Sequence, residues 1–495
     1  MTINRLVTWI TFLAVFAMAA RVSMDTDTWW HLRAGEWIIE NQSVPQTDPF
    51  SHTRAGADWQ YPGWLVEVPM AYIYDLAGPG GLNIFTAAMV TLAFLFLWMA
   101  LSGGVFLRAF VIVIAATASG VYWAARPYLM SFLLSAVFLW ILESHRWHPS
   151  SNSKKRLWLL PLLMILWANS HGGFAVGFLL FGVYWAAEAL GWWLTGGLRD
   201  WIKSLFKTPL MALRQPQLQL TWVGILMLFA VCINPSGAVM LLYPFKTVSI
   251  GALKDYIQEW QSPDFHQRAT QPFIWLVITA FAVIGTSRRR IALTDFLLFS
   301  GFFSMSLVAG RNIALFALVA PLVITRHAAA LMQALSRKMG FRLNRSTAPT
   351  SMQKKLNWLI LLLIAFTMII KVISVYPREM NEAVFRENLP FEAVAYLQER
   401  QPPGNLFNSY DWGGYIIYAL PEYPVFIDGR TDLYSDGLIE EWLQVVRAEG
   451  GWQEVLDKYD VSLVLLEPTM PVVVELAQNG WEELYRDEKS VVYGR

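Results

Sequence analysis

The sequence predicts a polytopic α-helical membrane protein, on three observations. Of 495 residues, 55% are hydrophobic and only 15% are charged, where a soluble domain carries about 25% charged residues. Apolar runs near the ~20 residues that cross a bilayer recur along the whole chain. The 24 tryptophans suit a protein with many membrane–water boundaries, where indole rings anchor. So little charge cannot coat two or three soluble domains, which excludes a soluble enzyme, a disordered protein and a nucleic-acid binder. The single Cys232 excludes an internal disulfide and a Cys-based zinc site.

Taken in order, the predicted spans are 4–20, 82–101, 105–123, 128–143, 157–169, 174–194, 218–234, 271–286, 291–309, 312–330 and 356–376, eleven in all. The first also resembles a signal peptide, with Arg5, an apolar run and Ala17-Met18-Ala19. Asp25 and Asp27 follow it at once, and we read it as a retained span that anchors them. Lys and Arg set the orientation. The connections 144–156, 195–217 (Arg199, Lys203, Lys207, Arg214), 287–290 and 331–355 (Arg337, Lys338, Arg342, Arg345, Lys354, Lys355) are basic, and Arg5 and Arg108 fall on the same side. Loop 21–80 carries three Arg against eight Asp/Glu, and the tail 377–495 carries nine Lys/Arg against 22 Asp/Glu. The N-terminus is therefore expected inside and the tail outside, which requires an odd number of spans.

Two pieces lie outside the membrane segments. Within loop 21–80, residues 29–40 have apolar residues at helical spacing and read as an interfacial helix lying on the membrane. The tail 377–495 reads as a small α/β domain beside the membrane domain 1–376. Its β-rich runs at 425–427, 461–466 and 491–493 alternate with amphipathic stretches at 390–400, 436–448 and 470–478. No internal repeat, P-loop or nucleotide-binding glycine fingerprint is present.

Polar groups at a membrane are costly, so their placement is informative. They gather on the outer side. Asp25 and Asp27, two residues apart after a span, suit a divalent cation (Mg or Mn, given oxygen ligands) or an acceptor nucleophile. They equally suit a pair of N-caps for the following helix. Arg126 and Arg311 lie where orientation does not call for positive charge; guanidinium pairs bidentately with phosphate, or snorkels to headgroups. His171, before two glycines, binds phosphate, donates a proton or is merely exposed. Glu259 offers a further carboxylate or a solvated loop charge. In the tail, Tyr410-Asp411-Trp412-Gly413-Gly414 and Asp428-Gly429-Arg430 read as ligand-approaching or structural turns.

Asp27-Thr28-Trp29-Trp30-His31-Leu32-Arg33 resembles the Asp-x-(Tyr/Trp)-(Tyr/Trp)-His-x-Arg segment in the first external loop of oligosaccharyltransferase catalytic subunits, members of the GT-C class of membrane glycosyltransferases. Tyr410-Asp411-Trp412-Gly413 is similar to their Trp-Trp-Asp-Tyr-Gly motif, again followed by an Asp-Gly element, Asp428-Gly429. Ser409 and Tyr410 replace the motif's two Trp, so the class carries over and a specific peptide acceptor does not. The resemblance implies a GT-C fold and a polyprenyl-phosphate-linked sugar donor. Its acceptor is a protein, lipid or glycan on the outer face of a plasma membrane, such as a bacterial inner membrane. Asp27 and Asp25 then activate the acceptor or bind metal, Arg126, Arg311 and His171 take the lipid phosphate, and transfer inverts the sugar. Trp30, His31, Arg33, Asp411, Asp428 and Arg430 become candidate acceptor or donor contacts. The alternatives are a transporter or lipid flippase, and an enzyme like the O-antigen ligases and polymerases.

Overall fold

A computed structural model describes residues 1–197, 199–200, 202–203, 218–251, 256–339 and 349–495; Lys207, Arg214, Arg342 and Arg345 of the basic connections lie outside the described residues. A helix sits on each of the eleven predicted apolar runs. Among the described residues six are long and apolar enough to cross a membrane: Trp64–Ala100, Val105–Tyr122, Tyr128–Trp147, Gly172–Leu194, Gly310–Met339 and Ser351–Val375. The shorter apolar helices Ile3–Ala19, Gln219–Val231, Gln271–Thr286 and Leu293–Val308 accompany them, together with Leu159–Ala168. The small residues that interrupt the run 105–123 do not break it. Ala115, Ala116 and Ala118 are buried and let the helix Ile313–Met339 approach closely.

The expected loop 21–80 is largely helical. The helix starting at Trp64 runs to Ala100 and kinks at Gly78, whose φ of +58° a glycine adopts at little cost, just before Pro79. Its first half is a shelf for the helix Thr28–Asn41. That helix does not lie on a membrane with one face free. Trp29, Trp30, Leu32 and Ala34 are buried between the shelf and the short tail helix Gly413–Ala419. Trp29 meets Phe385, Tyr415 and Tyr74 edge-on at 5.2–6.2 Å, the geometry aromatic quadrupoles favour.

The tail contains a four-stranded sheet in the order β1-β2-β4-β3, with β1 Asn405–Asn408, β2 Val461–Leu466, β3 Glu482–Arg486 and β4 Val491–Gly494. β1 runs parallel to β2, and β4 is antiparallel to both of its neighbours. The two-residue alternation of strands divides its core. Leu406, Leu463, Leu465 and Val492 join a cluster with Trp29, Trp30, Phe50 and Trp59 of the first loop. Phe407, Val464, Leu466, Val491 and Tyr493 join the tail's own helices. The run 425–427 is not a strand of this sheet. Val425 bridges to Ser51 of the first loop, and Asn408 holds Phe426 and Ile427 through its side-chain amide.

At the other end of the bundle lies a feature absent from the sequence reading. Arg126 precedes the helix Tyr128–Trp147, whereas Glu143 and Arg146 lie in its last turns, about 25 Å away at 1.5 Å per residue. There Arg326 Nη1 meets Asp295 Oδ1 at 2.6 Å and its Nη2 meets Glu143, while Arg146 also reaches Asp295 and the Tyr184 hydroxyl donates to Glu143. Trp147 flanks both guanidiniums at 4.6 and 5.3 Å. Two carboxylates and two guanidiniums thus tie three helices, and the Tyr184 hydroxyl adds a fourth. Removing one partner from a buried pair strands the other charge, at about 3–5 kcal/mol. Arg326→Met is expected to lower the melting temperature of the detergent-solubilised protein clearly. Arg386→Ala, which breaks an exposed pair with Glu392, is expected to leave it unchanged.

Candidate active site

Four chain segments meet where the helix Ile3–Ala19 has ended and the helix Thr28–Asn41 begins. Asp27 stands at the N-cap position of the latter, yet its side chain makes no capping hydrogen bond. The carboxylate is turned instead onto Arg126, with Nη2 to Oδ2 at 2.6 Å. Arg126 Nη1 lies 3.3 Å from Asp25 Oδ2 and 3.8 Å from Glu259 Oε2. Glu259 Oε1 lies 3.2 Å from Arg311 Nη1. Arg311 in turn stacks over Trp260 at 4.4 Å.

Local hydrogen bonds hold these groups in place. The Thr28 hydroxyl donates to Ala125 O at 3.1 Å and Ala125 N–H donates to Ser23 Oγ at 3.3 Å, locking the turn that carries Arg126 to the start of the first loop. Gly310 N–H donates to Gln261 O at 2.9 Å and joins the turns carrying Glu259 and Arg311. A cavity of about 450 Å³ opens beside them, lined by Asp25, Arg126, Glu259 and Arg311 together with Arg21, Tyr122, Trp123 and Tyr128. Arg21 donates to the carbonyls of Trp123, at 3.2 Å, and Gly120. Sequence reasoning passed over Arg21, although it follows an apolar run on the same side as Arg126 and Arg311, the signal that picked out those two.

The charges shape one another. Burial pushes the Asp27 carboxyl up to about 6, with Arg126 opposing and Asp25 and Glu259 adding. Burial works in the same direction on Glu259, but Arg311 and Arg126 outweigh it and hold that carboxyl below the usual range. His171 accepts Gly173 N–H on Nδ1 at 2.9 Å and sits 2.8 Å from Ser131 Oγ. Burial, reinforced by Arg311 and Arg126, pushes its pKa down to about 3. The ring is therefore neutral, with its proton on Nε2.

The other candidates are placed differently. Trp30 is buried, its ring 3.6 Å from that of His31. His31 Nδ1 lies 2.7 Å from Glu67 Oε1 and 2.8 Å from the Tyr61 hydroxyl, both absent from the sequence reading. Arg33 points away from the cavity and pairs with Glu36 at 3.2 Å and Glu40 at 2.9 Å. Asp411 is exposed. Asp428 and Arg430 are fully buried in a closed group. Arg430 Nε donates to Asp428 Oδ1 at 2.9 Å, Nη2 donates to Asp428 Oδ2 at 2.7 Å, and Nη1 pairs with Asp48 of the first loop. Asp428 and Arg430 join the tail to the first loop and do not reach the cavity. The adjoining Gly429 presses on Asp27: a methyl added there would overlap Asp27 Oδ1. Gly414 is also tightly packed: a methyl there would meet Thr26 O at 2.5 Å and the Trp30 ring at 3.2 Å.

The carboxylates do not suit the expected Mg or Mn. The oxygens of Asp25 and Asp27 that would ligate a cation already face one guanidinium. Among the described residues no group of three or more His, Cys, Asp or Glu converges as a metal cage.

Two outcomes follow from this geometry. The folded state raises the Asp27 pKa, so ionised Asp27 opposes folding above pH about 6 and that opposition vanishes below about 4. Asp27→Asn is expected to melt higher than wild type at pH 7.5, with the gap closing as the pH falls from 6 to 4. Gly429→Ala is expected to cost about 1–3 kcal/mol through overpacking, read as a lower melting temperature at neutral pH.

No protein-family model matches the chain, and no curated protein sequence matches it. Solved structures do match. The archaeal oligosaccharyltransferase AglB from Archaeoglobus fulgidus, in complex with an inhibitory peptide and a dolichol-phosphate, gives a TM-score of 0.56 at 13% identity, over 94% of this chain and 70% of that one. The apo form of the Archaeoglobus fulgidus oligosaccharyltransferase gives 0.56 at 14% identity, over 93% and 69%. The form tethered with an acceptor peptide containing the NVT sequon gives 0.54 at 14%, over 98% and 74%. At such identity the likeness is one of architecture: the chain has the GT-C fold of the archaeal oligosaccharyltransferases.

Proposed function

We propose that the chain is a membrane glycosyltransferase that moves a sugar from a polyprenyl-phosphate-linked donor to an acceptor, with inversion at the anomeric carbon. The observation that carries this reading is the cavity on which Asp25, Arg126, Glu259 and Arg311 converge, acid and base groups beside cations fit for a phosphate. A nucleophilic O–H or N–H of the acceptor attacks the anomeric carbon. The Asp25–Asp27 pair takes its proton, with Asp25 on the cavity wall and Asp27 tuned near neutrality. The bond from the anomeric carbon to the phosphate oxygen breaks, its electron pair stays on that oxygen, and the charge that grows there meets Arg126 and Arg311. His171, neutral and with Nε2–H free of its Nδ1 partners, is a further donor to that phosphate. Phosphate is already a good leaving group, so no nucleotide is needed in this step.

The solved structures that share the fold include complexes with dolichol-phosphate and with an acceptor peptide, which supports a lipid-linked donor and a peptide among the candidate acceptors. The Lys/Arg distribution supports an orientation with the N-terminus cytoplasmic and this cavity outside. Polar groups gather at one end of the bundle while Glu143, Asp295, Arg146 and Arg326 pack the other. Such an arrangement favours a one-sided active site over a transport path, which places its site near the midplane.

The test is transfer of radiolabelled sugar from polyprenyl-phosphate donors by the purified full-length protein, against Asp25→Asn and Asp27→Asn. Wild type is expected to release polyprenyl phosphate and form labelled product, and Asp27→Asn to lose at least about 100-fold, the share a positioned base contributes. Full activity in folded Asp27→Asn overturns the role of Asp27. No turnover with any donor, alongside movement of lipid or solute across liposomes, overturns the transferase reading.

A further inference from the structure

We propose that Arg126 is the resident cation of this site, so that the transfer proceeds without a bound metal. The inference rests on the transferase reading for its chemistry and on geometry alone for its cation.

The arrangement around Arg126 is that of a cation site already filled. Asp25 and Asp27 come from one end of the chain and Glu259 from its middle, yet all three turn a carboxylate oxygen toward a single guanidinium, at 3.3, 2.6 and 3.8 Å. A Mg²⁺ ion demands near-octahedral oxygens at about 2.0–2.1 Å, whereas these carboxylates are spread over two nitrogens of one guanidinium. Three carboxylates face two guanidiniums, Arg126 and Arg311, leaving one negative charge. A divalent ion added beside both arginines would reverse the sign of the cluster.

Arg126 is not a swinging surface side chain that yields to an incoming ion. Its own N–H donates to Ala124 O at 2.8 Å, and Ala124 N–H donates to the Tyr128 hydroxyl at 3.0 Å. Pro127 restricts the backbone of the residue before it, Arg126, and the neighbouring Ala125 is bonded on both sides to the first loop. The guanidinium also lies 5.9 Å from the centre of the Tyr128 ring. Swinging it out would leave three carboxylates facing one another and only Arg311 to neutralise them.

A guanidinium also has the means to act in a metal's stead. It carries a charge that deprotonation does not remove and five N–H donors in a plane. Two of its nitrogens serve the carboxylates while the group still lines the cavity. It therefore holds the acceptor-activating carboxylates in register and presents N–H to a phosphate oxygen, the two tasks a bridging metal performs.

The test is a titration of the purified full-length chain with Mn²⁺, followed by electron paramagnetic resonance, with transfer assayed in parallel in EDTA. Wild type is expected to show no stoichiometric Mn²⁺ site at millimolar concentration and, in EDTA, the same rate as with added Mn²⁺. Arg126→Gln vacates the centre of the carboxylates and is expected to bind Mn²⁺ at least about tenfold more tightly than wild type. Arg126→Lys, which keeps a positive charge there, is expected to behave as wild type in Mn²⁺ binding. Stoichiometric Mn²⁺ on wild type that disappears in Asp27→Asn overturns the proposal, as does a transfer rate that EDTA abolishes and Mn²⁺ restores. A folded Arg126→Gln that gains no Mn²⁺ overturns it too. Should Arg126→Gln fail to fold, the wild-type and Asp27→Asn titrations decide. If no donor turns over, the transferase reading fails while the Mn²⁺ titration still judges the cation.

Discussion

The buried Arg430 guanidinium governs the placement of everything around the cavity. It is 1% exposed, lies against Phe50 and Trp59, and is neutralised by Asp428 from its own turn and Asp48 from the first loop. A charge in that setting is tolerable only if both carboxylates stay in place. That demand welds the tail to the first loop. It sets Gly429 against Asp27, fixes the start of the helix Thr28–Asn41, and through Thr28 and Ala125 fixes Arg126. The acidic cluster is thus held from behind by a salt bridge that touches no cavity.

Much of this was legible in residue order. Charge is so costly beside a membrane that Asp25, Asp27, Arg126, Glu259 and Arg311 stood out against the apolar background, and the structure brings those five together. Helices on all eleven apolar runs follow from the same contrast. What escaped notice depended on partners remote in sequence. Asp428 and Arg430 look like ligand contacts until Asp48 is seen beside them. Arg33 continues a motif whose first residue faces the site, yet helical rotation carries it round to Glu36 and Glu40. The strands Asn405–Asn408 and Glu482–Arg486 are short or polar, and pairing with β2 and β4 rather than propensity makes them strands. Residues 29–40 read as an interfacial helix from their amphipathic face, and protein covers that face on two sides.

The two ends of the bundle solve opposite problems with the same residue types. At the far end Glu143, Asp295, Arg146 and Arg326 are matched in number, and the group is closed. At the cavity the acids outnumber the bases around Arg126, Asp27 keeps a proton affinity near neutrality, and one side stays open. Balance closes one group into a clamp, and imbalance leaves the other charged and open to the cavity. Arg21 stands on the cavity wall as well, held by backbone carbonyls and not by a carboxylate.

The bond between Asp48 and Arg430 joins residues 382 positions apart. At about 5–20 residues per second, the ribosome delivers the second partner on the order of 20–80 s after the first. Throughout that interval Phe50, Trp59 and Trp30 have no tail to cover them, and Asp27 lacks the turn that seats it. Assembly of the site therefore waits for the tail. A chain stalled or clipped before Arg430 has membrane helices but lacks the turn that seats Gly429 against Asp27.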